Sequence, residues 1–145
     1  MEHADHEHGL AILLHPILVH FPIAFYFLEL LLLCFWVARQ DDDYLRFAHF
    51  SFRIGYLFMI LTMISGFIDA GGSWGHITGR VRTHFWAAVS VLVLYTLRAF
   101  FWRFLKTSPI VSARRQLVWA HILFAASGNI LVAITAYFGG VLVYG

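Results

Sequence analysis

Four long apolar stretches dominate the chain and limit the folds that it can adopt. They cover roughly residues 14–38, 50–70, 84–105 and 116–143. A stretch of about 20 apolar residues crosses the hydrocarbon core of a bilayer as an α-helix. With 61% hydrophobic and only 12% charged residues, the chain lacks the polar surface that a soluble domain needs. We therefore predict an all-α integral membrane protein, an antiparallel bundle of four transmembrane helices forming a single domain over residues 1–145.

The positive charges are divided unequally between the two ends of such a bundle. With four spans, both termini and the loop at 71–83 share one side, which carries only Arg80 and Arg82. The opposite side carries eight cations: Arg39, Arg46, Arg53, Arg98, Arg103, Lys106, Arg114 and Arg115. Because Lys and Arg are enriched in cytoplasmic loops, both termini are expected to face outward. The net charge of +2 follows from this topology and requires no nucleic-acid partner.

Breaker and capping residues set the expected ends of the helices. Pro16 fits the first turn of helix one, where its missing N–H leaves no hydrogen bond unmade, and Pro22 predicts a bend within that helix. The residues before the first apolar stretch, which include three histidines, are expected to be a solvated tail. Asp42 or Asp43 can cap helix two, which is therefore expected to begin before residue 50.

Short matches relate the two halves of the sequence. HFPIA in the first half resembles HFWAA in the second, and AHFSF resembles AHILF. These matches align His20 with His84 and His49 with His121. They favour two repeated helical hairpins related by an axis along the membrane normal.

The aligned histidines predict a haem protein. An ionisable side chain within a span indicates a functional site, because burying it without a partner is costly. His20 and His84 lie toward the outer end, whereas His49 and His121 lie toward the inner end. Two neutral imidazoles from facing helices are the axial ligands that hold a haem in a helical bundle. The two pairs therefore predict one or two haems of the b type.

Other polar residues at the outer end suit supporting roles. Arg80 and Arg82 are candidates to bind haem propionates, and Asp69 could orient a ligating imidazole through its second nitrogen. His15 is a further candidate ligand. Since His15 and His20 lie about 140° apart around a helix, they cannot both face one iron, and the choice between them stays open.

Two alternatives compete with the haem. A non-haem site built from His15, His20, Asp69 and His84 would suit Zn²⁺, Cu²⁺ or Fe²⁺. A cofactor-free structural subunit of a larger membrane complex would use the same histidines at the membrane interface.

Glu29 is the acidic residue in the middle of helix one. Because a lone carboxylate is costly in a membrane, we expect it to be protonated and bonded to a neighbouring helix. Asn129 in helix four is the candidate partner.

Four segments resemble one protein family: HPILVHFPIA in helix one, SGFIDAGG ending helix two, RTHFW opening helix three, and the terminal GGVLVYG. The chain is similar to a small bacterial membrane family with an HPxxVHFP opening, domain of unknown function 2231. That family resembles the two-haem b-type cytochromes. Within the family pattern lie His15, His20, Asp69 and His84, but neither His49 nor His121, so a single outer haem fits equally well.

The resemblance implies a location in the bacterial inner (cell) membrane and electron transfer as the activity. We therefore predict a b-type cytochrome subunit that passes electrons between the membrane and an outer-side redox partner. That partner would be a c-type cytochrome or a larger respiratory complex. Because almost no mass lies outside the spans, an electron-transfer subunit is expected rather than a complete enzyme.

Overall fold

Helices account for nearly all of the described chain. The computed structural model describes residues 3–107 and 111–144, with side chains described for 14–103 and 116–142. Its elements are α1 (His3–Arg39), α2 (Asp42–Asp69), a short 3₁₀ turn (Trp74–His76), α3 (Gly79–Thr107) and α4 (Val111–Tyr144). Each of the four long helices contains a stretch apolar enough to span a membrane, and the described residues form no strand. The prediction of an all-α four-helix membrane bundle is confirmed.

Two helix boundaries differ from the prediction. Helix α1 begins at His3, within the segment expected to be a tail, so Pro16 and Pro22 both lie inside the helix. No breaker separates that segment from the apolar stretch, and the helix continues through it. Helix α2 is capped by Asp41, whose side chain accepts a hydrogen bond from the Asp43 N–H at 3.0 Å. The cap therefore precedes the two aspartates that were predicted.

The helices pack as two hairpins. Helix α1 lies along α2, and α3 lies along α4. The hairpins meet mainly through α1 and α4, whereas α2 and α3 touch only over a short stretch. Helices α1 and α3 consequently face each other diagonally across the bundle. Large side chains from these two helices fill the space between them.

Three pairs of side chains from α1 and α3 meet on the bundle axis: His15 with His84, Tyr26 with Tyr95, and Glu29 with Arg98. The members of each pair are 69 residues apart in the sequence. Helices α2 and α4 repeat a pattern of small residues 73 positions apart: Gly55 and Gly128, Thr62 and Thr135, Gly66 and Gly139. The two hairpins therefore repeat one arrangement, with equivalent positions in contact at the centre.

This register differs from the one that the short matches predicted. The HFPIA and HFWAA match aligns His20 with His84, but the contacting position on α1 is His15. The AHFSF and AHILF match aligns His49 with His121. In the glycine and threonine pattern, the position equivalent to His121 is instead Ala48. The short matches therefore do not give the register that relates the two hairpins, because that register is set by packing along the full length of the helices.

Glycines allow the central tyrosines to pack. The rings of Tyr26 and Tyr95 stack with centroids 3.7 Å apart, and both residues are fully buried. A Cβ atom at Gly55 would lie 3.0 Å from Cε1 of Tyr26, and one at Gly128 would lie 2.6 Å from the Tyr95 hydroxyl oxygen. Small residues at these positions bring α2 and α4 close to the central pair.

We expect Gly128→Ala to destabilise the bundle, because the added methyl group would collide with the buried Tyr95 ring. Overpacking of this kind costs about 1–3 kcal/mol. Thermal unfolding of the detergent-purified protein measures the effect. Gly140→Ala in the same helix is the matched control, since a Cβ there meets nothing within 4 Å. Equal melting temperatures for the two variants would contradict the tight packing at Gly128.

Candidate cofactor site

A pair of histidines lies at one end of the bundle axis, here called the histidine end, near the connection between α2 and α3. His15 of α1 and His84 of α3 have ring centroids 6.4 Å apart and planes at 85°. Nδ1 of His15 is 3.0 Å from the carbonyl oxygen of Thr62, and Nδ1 of His84 is 3.0 Å from that of Thr135. Because a carbonyl only accepts, Nδ1 is the donor in each of these two hydrogen bonds, and Nε2 carries the lone pair of the neutral imidazole. Nδ1 of His15 also lies 3.0 Å from Oγ of Ser65.

The two imidazoles are also positioned by glycines one helical turn beyond those carbonyls. A Cβ atom at Gly66 would lie 2.7 Å from Cε1 of His15, and one at Gly139 would lie 3.1 Å from Cε1 of His84. Each ring therefore lies against the backbone of the second helix of its own hairpin. The same threonine, glycine and histidine arrangement thus orients both rings.

A cavity of about 420 Å³ extends from the histidine pair toward the tyrosine pair. Both histidines line it, and its floor includes Tyr26. Its walls are mainly apolar and come from all four helices, with Val19, Ile23, Met59, Ala88, Val91 and Val132 among them. Cavities of about 300–1,000 Å³ with apolar walls and a few convergent polar groups are typical of cofactor and ligand sites.

The structure places the other predicted outer residues apart from this pair. His20 is exposed, and its Nδ1 lies 2.6 Å from the carbonyl oxygen of Pro16 in its own helix. His15, rather than His20, lies opposite His84, because the two histidines of α1 point in different directions. Asp69 lines the mouth of the cavity, and Arg80 and Arg82 are exposed in the first turn of α3.

The four-residue metal site of the alternative hypothesis is not assembled. Across the described part of the chain, no three His, Cys, Asp or Glu side chains lie close enough to hold a metal ion. His20 is turned back onto its own helix, and this removes it from the set. Two imidazoles, His15 and His84, remain together.

The inner histidines both contact one tryptophan. His49 stacks on Trp102 with centroids 5.0 Å apart, and His121 meets the same indole edge-on at 4.4 Å. His121 is buried, and Trp102 belongs to the apolar core at this end. Both rings therefore pack against the same indole.

A buried ion pair lies below the tyrosines and was not predicted. Arg98 of α3 donates two hydrogen bonds to the Glu29 carboxylate of α1, one of them at 2.7 Å, and both side chains are almost fully buried. The Arg98 guanidinium also lies 5.2 Å from the centroid of the Phe52 ring. Asn129, the expected partner of Glu29, donates instead to backbone carbonyls of Tyr26 and Ala125.

The constant spacing of 69 residues is the sequence signal that could have revealed these contacts. Aligning His15 with His84 also aligns Tyr26 with Tyr95 and places Glu29 opposite Arg98. Complementary charges at equivalent positions of two repeated helices indicate contact across the repeat axis.

Fold and site together define a class: a small multi-pass membrane protein whose four-helix bundle holds a histidine pair from two diagonally opposed helices. A family model described as "Predicted membrane protein (DUF2231)" matches residues 11–145. The chain belongs to this family, which confirms the resemblance seen in the sequence. Searches of curated proteins and of solved structures find no significant match. The similarity of the family to two-haem cytochromes stays a prediction.

Proposed function

We propose that the protein is a b-type cytochrome subunit in which His15 and His84 bind one haem b. The geometry of the pair carries this proposal, because the ring centroids are 6.4 Å apart. Two imidazoles that bind one metal ion through nitrogen, each at about 2.0–2.1 Å, have ring centroids within roughly 6 Å of each other. The separation would allow His15 and His84 to hold a single haem iron, and the Nε2 atom of each neutral imidazole would supply the lone pair that ligation requires.

The number of protein donors favours haem over a non-haem metal. A structural zinc site takes four protein ligands, and a catalytic one takes three. Haem brings four nitrogens of its own, so two imidazoles complete its coordination. A pair of histidines without a third ligand, within the part of the chain that is described, matches that requirement.

The residues around the pair would serve the cofactor in distinct ways. When bound, haem supplies reversible one-electron chemistry at its iron, at a potential set by the axial ligands and the surrounding polarity. His15 and His84 would hold it, and the apolar walls of the cavity would exclude water from it. Arg80 and Arg82, at the start of α3, are the cations available to its propionates at the histidine end.

One haem is proposed rather than two. The inner pair, His49 and His121, is packed against Trp102. Those two positions are not equivalent in the register that relates the hairpins, whereas His15 and His84 are. The repeat therefore gives no support for an inner haem.

The charge distribution supports an orientation in the bacterial inner membrane. Arg98 is buried in the ion pair and no longer counts as a loop charge, which leaves seven cations at the end opposite the histidines. Three of them, Lys106, Arg114 and Arg115, lie outside the described side chains. Seven against two still favours a periplasmic histidine end and outward termini. The redox partner would then be a periplasmic c-type cytochrome or a subunit of a respiratory complex.

Haem content tests the proposal directly. The full chain is purified in mild detergent from haem-replete cells, and a pyridine haemochrome assay is combined with a reduced-minus-oxidised spectrum. We expect one haem b per chain. Two haems would contradict the single site, and the absence of haem from folded protein would favour a cofactor-free structural subunit.

A further inference from the structure

The two histidines of the central pair are held by different numbers of hydrogen-bond acceptors. Nδ1 of His15 lies 3.0 Å from the carbonyl oxygen of Thr62 and also 3.0 Å from Oγ of Ser65. Among the described residues, Nδ1 of His84 has one acceptor, the carbonyl oxygen of Thr135 at 3.0 Å. The pair is therefore asymmetric in the groups that contact its outer ring nitrogens, although the two hairpins repeat one arrangement.

The asymmetry arises at a single position of the repeat. The register that relates the hairpins aligns Ser65 with Phe138, three residues after the threonine that supplies each carbonyl. The threonine and the glycine that packs against the ring occur in both hairpins. A phenylalanine side chain has no atom that accepts the proton of an imidazole, so position 138 cannot repeat the contact made by Ser65.

The direction of the contact follows from the hydroxyl of Ser65. Its Oγ donates to the carbonyl oxygen of Thr62, three residues earlier in α2, at 2.9 Å. Since a hydroxyl has one proton and two lone pairs, Oγ can then only accept from Nδ1 of His15. Ser65 is buried and is not among the residues that line the cavity. It can therefore act on a cofactor only through His15.

We propose that Ser65 is a positioning residue that makes His15 the more strongly electron-donating of the two haem ligands. This inference rests on the proposed function, because it concerns a haem held by His15 and His84. A hydrogen bond from the second nitrogen of a ligating imidazole fixes the ring and raises its basicity as a ligand. A more basic axial ligand stabilises the oxidised iron, so the contact with Ser65 lowers the reduction potential of the site.

Redox titration of the haem-loaded full chain tests this effect. Ser65→Ala should retain haem, because the carbonyl of Thr62 still accepts the Nδ1 proton, but its midpoint potential should shift upward. Ser65→Thr keeps the hydroxyl and should stay close to the wild-type potential. Ser90→Ala is the matched control, since Ser90 also donates to a carbonyl of its own helix, that of Trp86 at 2.9 Å, but is exposed. An unchanged or lower potential in Ser65→Ala would overturn the inference.

The hydrogen bond can also be measured without haem. The full chain is prepared from haem-deficient cells with isotope-labelled histidine, and the ring signals of His15 and His84 are assigned by NMR from their alanine variants. Ser65→Ala should shift the Nδ1 proton signal of His15 and leave that of His84 in place. Haem-loaded protein in which neither this signal nor the potential shifts would overturn the inference alone. A shifted His15 signal in a chain that never binds haem would instead overturn the proposed function and reduce the role of Ser65 to packing.

Discussion

Replacing His15 or His84 by alanine should remove nearly all haem from the purified protein if the two residues hold one haem as proposed, because either change would leave a single imidazole to bind the iron. Haem per chain is measured by the pyridine haemochrome assay, and circular dichroism verifies that the variants remain helical. Added imidazole should restore part of the spectrum in His15→Ala, since the cavity of about 420 Å³ adjoins that ring.

His20→Ala is the matched control for this experiment. It removes the same side chain from the same helix, but His20 is exposed and turned back onto the Pro16 carbonyl. Haem content should therefore be unchanged. Loss of haem in His20→Ala with retention in His15→Ala would overturn the assignment of the ligand pair.

The largest expected effect on stability comes from separating Glu29 and Arg98. Glu29→Gln leaves the Arg98 charge buried without its counter-ion, and removing one partner of a buried pair costs about 3–5 kcal/mol. Unfolding of the detergent-solubilised protein by heat or denaturant measures the change. We expect a much lower melting temperature for this single variant.

Two further variants distinguish the loss of the Glu29–Arg98 ion pair from a general effect of changing a charge. Arg46→Gln breaks the ion pair between Arg46 and Asp43, whose side chains are 81% and 62% exposed, respectively. This variant should lower the free energy of unfolding by less than about 1 kcal/mol. Glu29→Met combined with Arg98→Met removes both charges and should recover most of the lost stability. A double variant no more stable than Glu29→Gln would show that the pair is not the source of the loss.

The helices could be predicted because length and hydropathy are local properties of the sequence. Each apolar stretch is long enough to span a bilayer by itself, and glycines mark the connection after Asp69. The start of α1 was missed since nothing in the tail stops a helix that has already formed. Whether the first turns of a long helix are helical depends more on the helix that follows them in the chain than on their own composition.

The site required information that short motifs do not carry. Whether His15 or His20 contacts His84 depends on the rotation of two diagonally opposed helices. The HFPIA match aligns His20 with His84, whereas the structure brings His15 into contact with it. The charge pattern alone groups Arg98 with the cations of the inner end, although it lies within α3. Only its equivalence to Glu29 in the register of 69 residues indicates that it turns inward.

The Glu29–Arg98 pair has a consequence for how the halves of this chain recognise each other. Two copies of the first hairpin, arranged about the same axis, would bring carboxylate against carboxylate, and two copies of the second would bring guanidinium against guanidinium. Like charges at such a buried contact are strongly unfavourable. At this contact the two hairpins are therefore complementary to each other and not self-complementary, and two copies of either half would not reproduce the ion pair.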